Sequence, residues 1–84
     1  MRLPIIKHTL SFIEEKDADY IEECIKVLEH LSESSNIKDN ELDVIGELLS
    51  NLYGSLEVNK EINSGTIKKD ALNNFMKRVK DSID

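Results

Sequence analysis

The 84-residue chain is poor in several residue types that mark particular classes of protein. Its single cysteine, Cys24, excludes an intramolecular disulfide framework and an all-cysteine zinc site. It has one proline, three glycines and no tryptophan, and no run of about 20 apolar residues that could cross a membrane. The apolar stretch near the N-terminus is too short for the h-region of a signal peptide. These shortages predict a protein of the reducing cytoplasm.

The balance of charge is acidic, with 17 acidic against 11 basic side chains and a formal net charge of −6. A field of this sign repels nucleic-acid phosphates and anionic lipids, so neither is an expected partner. Apolar residues make up 39% of the chain and charged residues 33%, which is typical of a soluble helical domain. The length predicts a single domain over residues 1–84.

Hydrophobic periodicity predicts four helices, at about residues 4–16, 19–33, 39–63 and 66–82. Pro4 suits the first helical turn, and Asp17 or Asp19 can cap the second helix. Gly54 permits a bend in the long third helix, whereas Gly65 is a stop signal for it and Thr66 a cap for the last one. Short loops make successive helices antiparallel, so the expected fold is all-α, a small four-helix bundle or paired helical hairpins.

The apolar faces of the first three helices are wide. On the second helix the face spans roughly 160° of the helical wheel, more than a monomeric bundle of this size usually hides. We therefore expect a homodimer, in which a second copy covers the remainder. The residues expected on the apolar faces of the second and third helices are Tyr20, Ile21, Cys24, Ile25, Val27, Leu28 and Leu31, and Leu42, Ile45, Leu48, Leu49, Leu52, Tyr53 and Leu56.

A row of small residues, Gly46, Ser50 and Gly54, follows the third helix at intervals of four. Small side chains allow another helix to approach closely, so this row and the neighbouring Tyr53 are a candidate interface with a partner helix. The alternatives are an ordinary contact inside the chain and a solvated edge.

The side chains that could carry chemistry are few. We expect Cys24 to be a small, buried and unreactive core residue, and His8 and His30 to lie on the solvated surface. The glutamates that a di-iron bundle places three residues before each histidine are absent, and so is H-E-x-x-H. A redox or metal site would have to join Cys24 to His8 across two helices.

No phosphate-binding loop, nucleophile elbow or kinase signature is present in the sequence. The paired carboxylates at Glu14 and Glu15 and at Glu22 and Glu23 lie on outward helix faces, where they serve solubility. We therefore expect no enzymatic activity, no metal and no cofactor.

Charge is distributed unevenly between the helices. Residues 19–33 hold five acids and one lysine, a net of −4, whereas residues 66–84 hold five bases and three acids, a net of +2. Opposite fields indicate that the two helices lie close together or meet across an interface. The alternative is a small nucleic-acid-binding regulator whose last helix presents Lys68, Lys69, Lys77 and Arg78 to phosphates, although such domains are usually basic overall.

Three stretches, RLPIIKH at residues 2–8, ELDVIGELLSNLYG at 41–54 and ALNNFMKRV at 71–79, resemble a family of short, acidic, uncharacterised bacterial proteins. The resemblance covers nearly the whole chain. It implies an all-helical cytoplasmic protein with no assigned activity, and it transfers no catalytic or binding residue.

Together these patterns predict a non-enzymatic helical module for protein–protein interaction or self-association, whose partner is itself or another protein.

Overall fold

Between residues 2 and 83 the chain forms four α-helices, as the periodicity predicts. A computed structural model describes the backbone of residues 2–83 and the side chains of residues 2–80. Met1 and Asp84, the first and last residues of the predicted domain, lie outside the described part. Within that part the structure is all-helical, with no strand, and its elements are α1 (Leu3–Glu15), α2 (Asp19–Ser32), α3 (Asp39–Asn63) and α4 (Lys68–Ile83).

Local hydrogen bonds define where the helices begin. Pro4 occupies the first turn of α1, where a missing N–H leaves no donor without a partner. The Asp17 carboxylate accepts a bond from the Asp19 N–H at the start of α2, at 3.0 Å. At the start of α3, the Glu41 carboxylate accepts a bond from the Lys38 N–H at 2.9 Å. Each carboxylate satisfies a backbone donor that the helix itself cannot pair.

The end of α3 is a Schellman turn built on Gly65. Gly65 has a φ of +109°, a conformation that costs glycine little and other residues much more. Its N–H donates to the Ile62 carbonyl and the Thr66 N–H donates to the Glu61 carbonyl, at 3.0 and 3.1 Å. Because Thr66 belongs to this turn, α4 begins at Lys68, two residues after the predicted start.

The other three helices all pack on α3. The extensive helix contacts in the described part are those of α3 with α1, with α2 and with α4. The molecule measures 43 × 34 × 17 Å, so it is only about two helices thick. Its radius of gyration, 13.7 Å, exceeds the roughly 11.8 Å expected for a globular chain of this length. The helices therefore form a flattened layer around α3.

The core lies where α1, α3 and α4 meet, with α2 adding two side chains. Ile6 and Leu10 of α1 and Val58 of α3 are almost completely buried. Each fully buried aliphatic side chain contributes roughly 1.5–3 kcal/mol of hydrophobic stabilisation. The remaining buried apolar residues are Ile13, Ile21, Ile25, Ala71, Leu72 and Phe75.

The buried side of α3 is made of small and polar residues. Asn51, Gly54, Ser55 and Val58, at helical spacing, are buried, whereas Leu42, Ile45, Leu49, Leu52 and Leu56 are half-buried and Leu48 and Tyr53 are exposed. The prediction that the leucine side of this helix is its inner side was therefore wrong in part. α3 has two packed sides, and the more deeply buried one is the less hydrophobic.

Hydrogen bonds explain how polar residues can be buried on α3. The Asn51 amide donates to the Glu47 carbonyl at 2.7 Å, and its oxygen accepts the Arg2 N–H at 2.9 Å. The Ser55 hydroxyl donates to the Asn51 carbonyl at 2.8 Å. A buried polar group with its partners in place costs little free energy. Asn51 thereby fastens the start of α1 to the middle of α3.

We predict that Asn51→Ala lowers the free energy of unfolding by about 1–3 kcal/mol, because the buried amide of Asn51 is lost and the partly buried Arg2 N–H loses its acceptor. Asn40→Ala, at an exposed position in the first turn of α3, is the control and should change stability by less than about 0.5 kcal/mol. Urea unfolding measures both. Equal effects would contradict the structural role of the Asn51 bonds.

Two glycine substitutions should act in opposite directions. A Cβ at Gly46 meets nothing within 4 Å, so Gly46→Ala should stabilise α3 by about 0.5–1 kcal/mol. A Cβ at Gly65 also has open space, yet the positive φ makes Gly65→Ala destabilising by about 1 kcal/mol. Thermal unfolding of the two variants tests the difference. A loss of stability in Gly46→Ala would mean that another chain already occupies that space.

Candidate functional site

Helix α2 has two adjacent apolar sides, and only one of them packs on the rest of the chain. Ile21 and Ile25 face the core and are buried. A second series, Tyr20, Cys24, Val27 and Leu31, follows the helix at intervals of four, three and four residues and is exposed along its whole length. Tyr20 and Val27 are each 59% exposed. We call this series the α2 stripe.

The prediction that Cys24 is a buried core residue was wrong, because Cys24 is exposed. At 100° per residue, the centre of the α2 stripe lies roughly 100° around the helix from the centre of the Ile21, Ile25 and Leu28 side. Both sides are apolar, so hydropathy alone does not distinguish the packed side from the open one. The thiol therefore belongs to the surface of α2.

A groove of about 460 Å³ separates α1 from the first half of α2. Three of its lining residues are large and apolar: Phe12 on α1 meets Tyr20 on α2 edge to face, with ring centroids 5.7 Å apart, and Leu52 comes from α3. Such an aromatic pair contributes roughly 0.5–1.5 kcal/mol beyond the area that it buries. The remaining lining residues are His8, Thr9, Ser11, Glu15, Ile21 and Cys24.

The groove brings His8 and Cys24 to one site across two helices, as the redox or metal hypothesis requires. A metal site usually needs three or four protein ligands. Among the described residues no group of three or more His, Cys, Asp or Glu side chains could hold a metal ion. The two side chains therefore line an apolar groove and do not form the donor set of a metal centre.

The predicted interface residues of α3 do not share one environment. Gly54 is buried inside the chain, Ser50 is half-buried, and Gly46 and Tyr53 are exposed. The row thus runs from the core out to solvent. Gly46, Ser50 and Tyr53 can still meet another molecule, whereas Gly54 serves the packing of this one.

Tyr53 is tied to α2 by a hydrogen bond. Its hydroxyl donates to the Glu29 carboxylate at 2.6 Å. This bond, with some desolvation and the negative charge of Glu29, raises the pKa of Tyr53 above its ordinary value. The bond joins α2 to α3, and neither of its two residues lines the groove.

The basic residues of α4 are partly neutralised within the chain. Lys68 pairs with Glu14 of α1 at 2.8 Å, and Arg78 pairs with Glu61 of α3 at 2.5 Å. Lys69 and Lys77 are exposed. The acidic helix α2 and the basic helix α4 are each packed on α3, and in the described part they are not among the pairs that pack extensively on each other. Their opposite charges are therefore not explained by extensive packing of one helix on the other.

Sequence reasoning did not separate the α2 stripe from the rest of its apolar face. The signal that could have separated it is the spacing of four, three and four residues, which is the heptad spacing of helices that pair with another helix.

None of the described helices is long and apolar enough to cross a membrane.

Comparison with known proteins gives a family and no function. A family model described as "Family of unknown function (DUF6952)" matches residues 1–84. No curated protein and no solved structure matches the chain significantly.

Replacing Glu29 with glutamine should lower the pKa of Tyr53. The carboxylate of Glu29 favours the neutral phenol over the phenolate, and a neutral amide does so less strongly. Spectrophotometric titration measures this in a Tyr20→Phe background, where Tyr53 is the only tyrosine. Because the pKa of Tyr53 is raised in the folded protein, the bond stabilises the fold fully at pH values below the pKa of an unfolded tyrosine. This stabilisation is lost as the pH rises through the pKa of Tyr53 in the folded protein. An unchanged midpoint in Glu29→Gln would show that the bond does not form in solution.

Proposed function

We propose a role for this chain, which belongs to the DUF6952 family of unknown function, from its own geometry: it is a non-enzymatic helical module that associates with a second copy of itself. The observation that carries the proposal is the α2 stripe. A helix normally packs its apolar side against another element, and the side formed by Tyr20, Cys24, Val27 and Leu31 is exposed in the single chain.

The surface area of the chain supports this proposal. The accessible surface of 6003 Å² is about 900 Å² more than the roughly 5,100 Å² expected for a folded monomer of this mass. A specific protein–protein interface buries about 800 Å² on each partner. The excess is thus enough for one interface of ordinary size.

Other exposed apolar side chains would extend such an interface. Phe12, which borders the groove, is 39% exposed. Val44 and Leu48, in the first half of α3, are further exposed apolar residues outside the groove lining. Aromatic residues such as Phe12 and Tyr20 are enriched among the side chains that carry binding energy. The proposed interface therefore has aromatic anchors beside an aliphatic row.

The alternative role, nucleic-acid binding through α4, has less support. Lys68 and Arg78, two of the four bases proposed for it, are paired with Glu14 and Glu61. Binding phosphate would have to replace these pairs in a chain of net charge −6. The charges of α4 are better explained as links to α1 and α3.

We expect Val27→Glu to weaken self-association by at least about thirtyfold, or about 2 kcal/mol, because it places an unpaired charge in the middle of the stripe. Val27 is exposed in the single chain, so the helical circular dichroism should be unchanged. Light scattering behind size exclusion measures the mass of each variant.

The matched control is Ile67→Glu, which alters another exposed β-branched residue, 70% exposed in the loop before α4. It should keep the mass of the unaltered protein. A Val27→Glu variant that also keeps that mass, with its helices intact, would exclude the α2 stripe as the interface.

A further inference from the structure

The two halves of the α2 stripe have different surroundings. Beside Tyr20 and Cys24, α1 rises next to α2 and makes the groove. Beside Leu31, a depression is lined by His30, Leu31, Glu33 and Ser34, with no residue of α1. The first half of the stripe is therefore one wall of a groove, and the second half, with Val27 and Leu31, is an open ridge.

We infer that the groove of each molecule receives the Val27–Leu31 ridge of a second copy, with the two α2 helices antiparallel about a two-fold axis between Cys24 and Val27. The inference rests on the proposed function and specifies the geometry of that association. Tyr20 then faces Leu31 of the second copy, and Cys24 faces its Val27. Each molecule contributes one groove and one ridge, as a self-complementary interface requires.

Shape favours the antiparallel arrangement over the parallel one. In a parallel pair each stripe residue would face its own equivalent, so that groove would lie against groove and ridge against ridge. The first half would leave unfilled space, because each groove would face another groove and receive no side chain, and Val27 and Leu31 would pack only on their own equivalents. In the antiparallel pair both grooves of about 460 Å³ receive aliphatic side chains.

Charge agrees with the same arrangement. Glu23 and His30 border the stripe on the side away from the core, each one position before a stripe residue. An antiparallel pair puts Glu23 of one molecule alongside His30 of the other, twice, and does not oppose two acids. Glu22 and Glu29 project from the opposite side of α2, at about 170° from the centre of the stripe. Glu33 lies about 150° from it, with its carboxylate 4.0 Å from the His30 ring of the same molecule. The net charge of −4 over residues 19–33 is therefore not concentrated between the two copies.

Disulfide trapping between two different variants tests this geometry. In a Cys24→Ser background, one variant carries Tyr20→Cys and the other Leu31→Cys, both at exposed positions. When either variant forms the antiparallel dimer with itself, its two thiols lie about 16 Å apart along the helix. That distance is too long for a disulfide. A thiol at position 20 of one variant does face a thiol at position 31 of the other.

We therefore expect no covalent dimer when either variant is oxidised alone, and a heterodimer, at least tenfold above either variant alone, when the two are mixed. The mixture of Tyr20→Cys with Ile67→Cys, in the same background, is the control for random collision and should give no such product. Circular dichroism confirms that each variant is folded. Covalent dimers of each variant alone would establish the parallel arrangement and overturn the inference.

The proposed function and this inference fail in different ways. If light scattering shows a dimer but the Tyr20 and Leu31 variants do not cross-link in the mixture, the protein self-associates by another geometry and only the inference is overturned. If the unaltered protein is a monomer at every concentration, both are overturned. Specific cross-linking in the mixture together with a dimeric mass supports both.

Discussion

The structure depends on α3 being the helix on which the other three pack. The side chains of Asn51 and Ser55 form hydrogen bonds with the backbone of α3 and with the Arg2 N–H. Because these polar groups have partners, the side of α3 that carries them can pack on other helices. Ile6 and Leu10 of α1 and the apolar side of α4 belong to the core on that side. The half-buried Leu49, Leu52 and Leu56 lie on the other packed side of α3.

This division of α3 explains both the shape and the exposed surface of the molecule. A closed four-helix bundle surrounds each helix with two neighbours, whereas in the described residues each outer helix has one extensive contact, with α3. Helix α2 therefore buries only Ile21 and Ile25 completely and leaves the α2 stripe open. The thinness of the molecule, 17 Å, and the open stripe have the same origin. The proposed dimer would give α2 the second neighbour that it lacks in the single chain.

The sequence predicted local features well and the choice of packed side poorly. Pro4, Asp17 and Gly65 mark helix ends because capping and positive φ are decided by a few adjacent residues. Which apolar side faces the core is decided by other helices, and for this reason Cys24 was wrongly placed inside. Asn51 and Ser55 were overlooked because hydropathy assigns polar residues to the surface and takes no account of bonds to the preceding turn. The groove joins Phe12, Tyr20 and Leu52 from three helices, a meeting that no spacing along one helix predicts.

Self-association is the central claim, and sedimentation equilibrium of the unaltered chain tests it most directly. The measurement gives the mass in solution without a column or a label, over a roughly hundredfold range of concentration, so mass action separates a dimer from a monomer. The account predicts twice the chain mass of 9.6 kDa, about 19 kDa, with dissociation only on dilution. A constant 9.6 kDa across the whole range would contradict it.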